Sequence, residues 1–178
     1  VERLGELPAL RERRAFVQDE AATLIGHLLA PEPGWTVLDA CAAPGGKAAH
    51  LLSLLGGEGR VVARDREGSR LELLRRLATE LPLFVEPGDL TAPLAQEDRG
   101  RFDAVLLDAP CSNLGTLRRH PEAKRRLSEQ AIVASAELQR ILLPQAAAQV
   151  RPGGVLVYSV CSISEEEGWP VVDSFLGS

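Results

Sequence analysis

The stretch 37–47, VLDACAAPGGK, limits the fold more than any other part of the chain. Val37 and Leu38 read as a buried strand that ends at Asp39. A loop of small residues follows, with Pro44, Gly45 and Gly46. A helix then runs from Lys47 to Leu55 and is ended by Gly56 and Gly57. A strand, a tight loop and a helix in this order make the first βα turn of a nucleotide-binding α/β fold. Glycines allow close backbone approach, and the free N–H groups of the helix start offer donors to a ligand. Neither phosphate-cradling pattern, GxxxxGK[ST] or GxGxxG, is present. A strand-end acid before a small-residue loop suits a ligand with hydroxyls and a charged amino-acid tail, of which S-adenosyl-L-methionine is an example.

The same alternation recurs along the chain. A helical pattern from Phe16 puts Val17, Ala21, Leu24, Ile25 and Leu28 on one face, and Pro31 and Pro33-Gly34 end it. Residues 60–63 read as a second strand, ending at Asp65. Leu71, Leu74, Ala78 and Leu81 mark the next helix, and residues 83–86 a short third strand before Gly88-Asp89. Residues 91–101 are a polar connection. Residues 102–107 form a fourth, strongly apolar strand ending at Asp108. A motif-rich loop runs to Leu127, and a helix over 128–150 carries Pro144 as an expected kink. Residues 151–154 read as a turn into a fifth strand, 155–160. Ser164 and Glu167 read as a capping box for a last helix, whose apolar face is Val171, Val172, Phe175 and Leu176.

Strands alternating with helices predict a Rossmann-like parallel sheet of order 3-2-1-4-5, with helices on both faces. Ligands of such sheets bind beyond the carboxyl ends of the strands, at the switch point between strands 1 and 4. Asp39, Asp65, Asp89 and Asp108 all fall on that rim. Asp is a common turn residue, so one alone would mean little. Asp65, at the end of strand 2, suits the two hydroxyls of a ribose, and Asp89 suits an adenine amino group.

The reaction must come from the other half of the rim. Cys111 follows strand 4 and Cys161 follows strand 5, so both are expected in one cleft beside the cofactor's methyl group. Free cysteines are most often small buried hydrophobes, and Cys41 is read that way. Two thiols and a carboxylate beside a methyl donor suit attack on carbon 6 of a pyrimidine, methylation at carbon 5 and proton removal there. Asp108 is placed to hold the N3 and amino edge of a cytosine. Lys47 is either an ordinary solvated lysine or a group that lowers a thiol pKa and steadies developing charge. Arg118, Arg119, His120, Lys124, Arg125 and Arg126 form the one dense basic cluster. Such a run is often only a solvated face; here it flanks the base pocket and fits phosphate contacts.

With 178 residues, 45% hydrophobic and 25% charged, the chain is long enough for one domain with a real core. Residues 1–15 read as a charged lead-in, with Arg11, Arg13 and Arg14 close together, and 16–178 as the catalytic domain. No run reaches the roughly 18 apolar residues of a membrane span. Nothing reads as a metal site. Three cysteines without paired spacing argue against a disulfide framework and for a reducing cytoplasm. The chain has no methionine and begins with Val1, so it reads as a piece of a longer or processed protein.

VLDACAAPGGK, AVLLDAPCSNLGTLRRHPE and GGVLVYSVCSISEEE resemble the three signature blocks of the Sun/Fmu-type RNA cytosine-5 methyltransferases. FVQDEAA and VVARD match as well, and the resemblance runs from Phe16 almost to the end. It implies a class I S-adenosyl-L-methionine-dependent methyltransferase acting on RNA, with ribosomal RNA favoured by the SNLGTLRRHP version of the loop. It implies Cys161 as nucleophile and Cys111 as the cysteine that assists product release. Cys41, Ala42, Ala43, Pro44, Gly45, Gly46, Lys47, Asp65, Asp89 and Asp108 would line the cofactor site. Val160 stands where the family has threonine, and Gly168-Trp169 where it has asparagine. The closing antiparallel strand pair of the fold is missing, so a partner segment or chain is expected to complete the sheet. Two other readings stand beside this one: a non-catalytic RNA-binding or assembly module that keeps the cofactor fold, and a methyltransferase with a tRNA or non-RNA acceptor.

Overall fold

The computed structural model describes residues 7–12, 15–66 and 68–177, with the backbone alone at Arg11 and Arg126. Arg13, Arg14 and residues 1–6 of the lead-in lie outside the described residues. Helices α1 (Pro8–Arg11), α2 (Glu20–Leu29), α3 (Gly46–Leu54), α4 (Ser69–Ala78), α5 (Glu129–Ala147) and α6 (Trp169–Leu176) surround strands β1 (Thr36–Asp39), β2 (Arg60–Asp65), β3 (Phe84–Pro87), β4 (Phe102–Asp108) and β5 (Val150–Ser159). The sheet is wholly parallel in the order β3-β2-β1-β4-β5, as the alternation of elements predicts.

The apolar runs are strands because both faces of this sheet are covered. Val37, Val61, Ala63, Ala104 and Leu106 meet Leu51, Leu55, Leu71 and Leu74 on one side. Leu38, Val62, Val105 and Leu107 meet Ala136, Leu142, Leu143 and Val171 on the other. Side chains cap two helix starts. Asp19 accepts from the Ala21 N–H at 3.0 Å, and Ser128 from the Ala131 N–H at 3.1 Å. Helix α5 runs on through Pro144.

Three local expectations need correction. The turn expected over 151–154 is taken into β5, which pairs Phe102 with Val150 and Ala104 with Val155 across a register shift. Gly154 permits this, because a Cβ there would lie 2.5 Å from the Asp103 carbonyl oxygen. The apolar stripe of α2 is only partly its core face: Ile25 packs against the core. Leu24 and Leu28 are exposed, as is Val17 ahead of the helix, while Gly26 and Leu29 are buried. Gly26 makes the contact, since its missing Cβ leaves room for the His50 ring. Helix α6 starts after Gly168, so Ser164 and Glu167 do not cap it, and Leu176 of its expected apolar face is exposed.

Candidate active site on the carboxyl rim of the sheet

The strands of the central sheet end together, and the loops that leave them build one continuous site. After β1 the chain turns through Ala42–Gly45, closed by a Gly45 N–H to Ala42 O bond of 2.7 Å. Gly45 has φ 107°, and a Cβ there would come within 2.5 Å of Leu77, so glycine is required. Gly46, at the start of α3, has open space where a Cβ would stand, and the helix N-terminus faces the rim.

Asp39 is 1% exposed, and neither of its oxygens has a hydrogen-bonded partner. Burial first, then the neighbouring Asp108 charge, push its pKa up to about 7; Lys47 pulls the other way. A carboxylate left bare in the middle of the site has the electrostatics of a cation acceptor. Asp65, at the end of β2, is by contrast fully engaged. Its Oδ1 accepts from Arg66 N and Arg70 Nε, both at 2.9 Å, and its Oδ2 from Ala43 N and Arg70 Nη2, both at 3.0 Å. Of these donors only the half-exposed Arg70 side chain can withdraw to admit ribose hydroxyls. Asp89 is exposed, and the Thr91 hydroxyl and N–H hold it below the ordinary carboxylate range. Asp65, Asp89, Cys41 and Leu90 share a cavity of about 140 Å³ with Pro110 and Leu138. Burial, with Asp65 and Asp39 nearby, pushes the Cys41 thiol up to about 12, as befits a small core side chain rather than a thiolate.

On the other side of the switch point, Lys47 Nζ reaches Asp108 Oδ2 at 2.6 Å, and the Ser159 hydroxyl donates to Asp108 Oδ1 at 2.7 Å. Both groups line a cavity of about 360 Å³ with Asp39, residues 41–44 and Gly46, and an adjoining one of about 230 Å³ with Val160 and Cys161. The thiols of Cys111 and Cys161 lie 3.1 Å apart. Asn113 Oδ1 lies 2.9 Å from the Cys161 sulfur and is a second acceptor for its proton. The Cys161 S–H brings Cys111 down to about 7, and the same bond, with burial and the Cys111 charge, pushes Cys161 above the ordinary thiol range.

Several members of the site carry no sequence signal of their own. Asn113 and Ser159 sit inside recognised motifs but look like ordinary loop and strand residues. Arg70 looks like a solvated helix residue. Glu167 is completely buried and accepts from Ser112, Gln139 and Ser164. Burial pushes its carboxyl up, but these donors and Ser162 hold it below the ordinary range.

The basic cluster is only partly available. Arg119 forms an ion pair with Asp19, the N-cap of α2, and His120 pairs with Glu122 at 3.2 Å. Arg118, Lys124 and Arg125 are exposed; the Arg126 side chain lies outside the described residues. His120 lines the cavity that holds Lys47 and Asp108, so the cluster adjoins the rim. Among the described residues no group of His, Cys, Asp or Glu is arranged to hold a metal ion, and no helix is long and apolar enough to cross a membrane.

The chain is 43% identical over 173 residues to a ribosomal RNA small subunit methyltransferase B of Vibrio cholerae, covering 96% of this chain and 40% of the relative. It is equally 43% identical over 175 residues to the protein of that name in Pseudomonas syringae, covering 96% and 38%. The chain thus spans about two fifths of the length of these relatives. The crystal structure of NSun6 from Pyrococcus horikoshii with SFG superposes with a TM-score of 0.85 at 31% identity, over 99% of this chain and 46% of that one. The cofactor that goes with this fold and these relatives is S-adenosyl-L-methionine, and the bare Asp39 carboxylate beside the small-residue loop fits its ammonium group. The family model for 16S rRNA methyltransferase RsmB/F matches residues 26–178, and the chain belongs to that family.

Proposed function

We propose that residues 16–178 are the catalytic domain of a cytoplasmic RNA cytosine-5 methyltransferase whose substrate is ribosomal RNA, with residues 1–15 as a lead-in. The observation that carries this reading is the pair of thiols 3.1 Å apart at the ends of two neighbouring strands, beside the Lys47–Asp108 ion pair. A single thiol would serve many reactions; two together with a carboxylate fit a reaction that must both form and release a covalent adduct.

Asp39 receives the ammonium of the cofactor's amino-acid tail, and the Gly45–Gly46 loop lets the backbone approach it. Asp65 accepts the ribose hydroxyls once Arg70 withdraws, and Asp89 accepts from the adenine amino group. When bound, S-adenosyl-L-methionine supplies an electrophilic methyl group. Asp108 faces the N3 and amino edge of the cytosine, and Lys47 steadies the charge that develops on addition. The Cys161 sulfur bonds to carbon 6 while its proton passes to the Cys111 thiolate, and the carbon 5–carbon 6 electron pair becomes available at carbon 5 for the methyl group. Solvent then takes the carbon 5 proton, the double bond re-forms, and the carbon 6–sulfur bond breaks. Cys111 returns its proton to the departing Cys161 sulfur, which restores the resting pair. The base must be unstacked or single-stranded to reach the thiols, and Arg118, Lys124 and Arg125 contact phosphates beside it.

RNA containing 5-azacytidine tests this reading. The protein with cofactor is expected to form a covalent complex with that RNA, stable in denaturant, and to form none when Cys161 is replaced by serine. Absence of the complex with the unaltered protein would favour a non-catalytic RNA-binding module or another acceptor.

A further inference from the structure

We propose that Glu167 is a positioning residue that clamps the loop carrying Cys111 over Cys161 and thereby controls adduct release rather than adduct formation. The inference rests on the covalent reading above. Glu167 is 0% exposed, yet no step of that mechanism uses its carboxylate. Its four acceptor sites are all taken. Oε1 accepts from the Ser112 N–H at 2.9 Å and from Gln139 Nε2 at 3.0 Å; Oε2 accepts from the Ser112 hydroxyl at 2.5 Å and the Ser164 hydroxyl at 3.2 Å. Gln139 Nε2 also donates to the Pro110 carbonyl at 2.9 Å. The residues on both sides of Cys111 are therefore held by the same Glu167–Gln139 pair. Tyr158 closes the network, its single hydroxyl proton shared between Gln139 Oε1 and the Glu167 carbonyl, each 3.1 Å away.

Cys161 is anchored differently. It lies two residues beyond β5, whose pairing with β4 extends to Asp108 and Ser159, and its carbonyl accepts from the Gly115 N–H at 3.0 Å; only its neighbour Ser162 touches the clamp, its hydroxyl 3.0 Å from that of Ser112. Loosening Glu167 therefore frees Cys111, whose loop it holds on both sides, more than Cys161, which the β4–β5 ladder still holds. Glu167→Gln keeps the shape but turns an amide N–H toward donors that need an acceptor, so the Cys111 loop loses at least one of its ties. Attack through Cys161 continues, with solvent taking its proton in place of Cys111, while proton delivery from Cys111 to the departing sulfur does not.

The test uses the protein with cofactor and unmodified small-subunit ribosomal RNA, read on denaturing gels for trapped protein–RNA adduct and in parallel for turnover and cofactor affinity. Glu167→Gln is expected to lower turnover by roughly tenfold to a hundredfold, to accumulate adduct as Cys111→Ser does, and to bind cofactor within about twofold of the unaltered protein. Ser112→Ala, which removes one hydroxyl from the clamp and is milder should Glu167→Gln not fold, is expected to accumulate adduct to a smaller extent. A structural role alone would lower turnover without adduct. The proposal is overturned if folded Glu167→Gln or, where that variant does not fold, Ser112→Ala shows normal turnover or loses turnover with no adduct. If Cys111→Ser itself traps nothing, the covalent reading has failed and the positioning role falls with it; adduct in Cys111→Ser alone overturns only the role of Glu167.

Discussion

On the proposed reading Asp39 joins stability and cofactor binding in a single side chain. Its pKa of about 7 in the folded chain compares with 3.8 for a free aspartate. The folded state therefore holds a proton that the unfolded state gives up. This contribution to stability is fully present below about pH 4 and is lost as pH rises through about 7. Three units amount to about 4 kcal/mol at most. Asp39→Asn is expected to raise the melting temperature of the cofactor-free protein at pH 8, with little change at pH 4. The same substitution removes the partner of the ammonium and is expected to weaken cofactor binding about tenfold to a hundredfold. Thermal melts across that range with a binding titration check both parts; a variant that loses stability at pH 8 while binding cofactor normally would contradict the assignment. The sequence places Asp39 on the rim, because an apolar strand ending in Asp is a local pattern. That it stands bare while Asp65 is saturated by Arg70 is not legible, since it depends on which donors the fold brings near each carboxylate.

Strands are the most legible elements, because two covered faces demand unbroken apolar runs and each run here ends in an acid. The errors fall where a long-range contact overrides a local pattern. Ser164 and Glu167 have the spacing of a capping box, yet the Glu167 partners Gln139 and Ser112 lie 28 and 55 positions away. Gly26 gives no hydrophobic signal and is nevertheless the packing point of α2. Arg64 is a third case. It reads as a strand residue beside Asp65, but its guanidinium is buried and bonds Gln149 at 2.8 Å, Glu86 at 2.7 Å and Asp98 at 3.0 Å. Its stem lies where a Cβ on Gly88 would be, directly under the turn that carries Asp89. Arg64→Met is expected to destabilise the fold by about 2–4 kcal/mol, since Glu86 and Asp98 lose a partner but keep some solvent and Arg101. Denaturant unfolding measures this, and a change below about 0.5 kcal/mol would show that the network is not structural.

At the scale of the whole molecule, the site is a product of topology. Residues 39, 65, 89 and 108 are scattered over 70 positions of sequence, and only the reversal of strand order at β1 and β4 gathers them on one rim. The same ladder brings Cys111 and Cys161, 50 residues apart, into contact. The motif blocks made that meeting readable from the sequence; the 3.1 Å approach of the two sulfurs was not, because it is set by side-chain geometry. The net charge of −5 belongs to the chain as a whole, while Arg118, Lys124 and Arg125 are exposed within one short stretch of sequence, so on the proposed reading any attraction to phosphates is local.

The most direct test of the account is transfer of tritium from methyl-labelled S-adenosyl-L-methionine into unmodified small-subunit ribosomal RNA, comparing the unaltered protein with Cys161→Ser. The account predicts incorporation at a cytosine by the unaltered protein and none by the variant, with cofactor binding retained in both. Full activity of Cys161→Ser would contradict it.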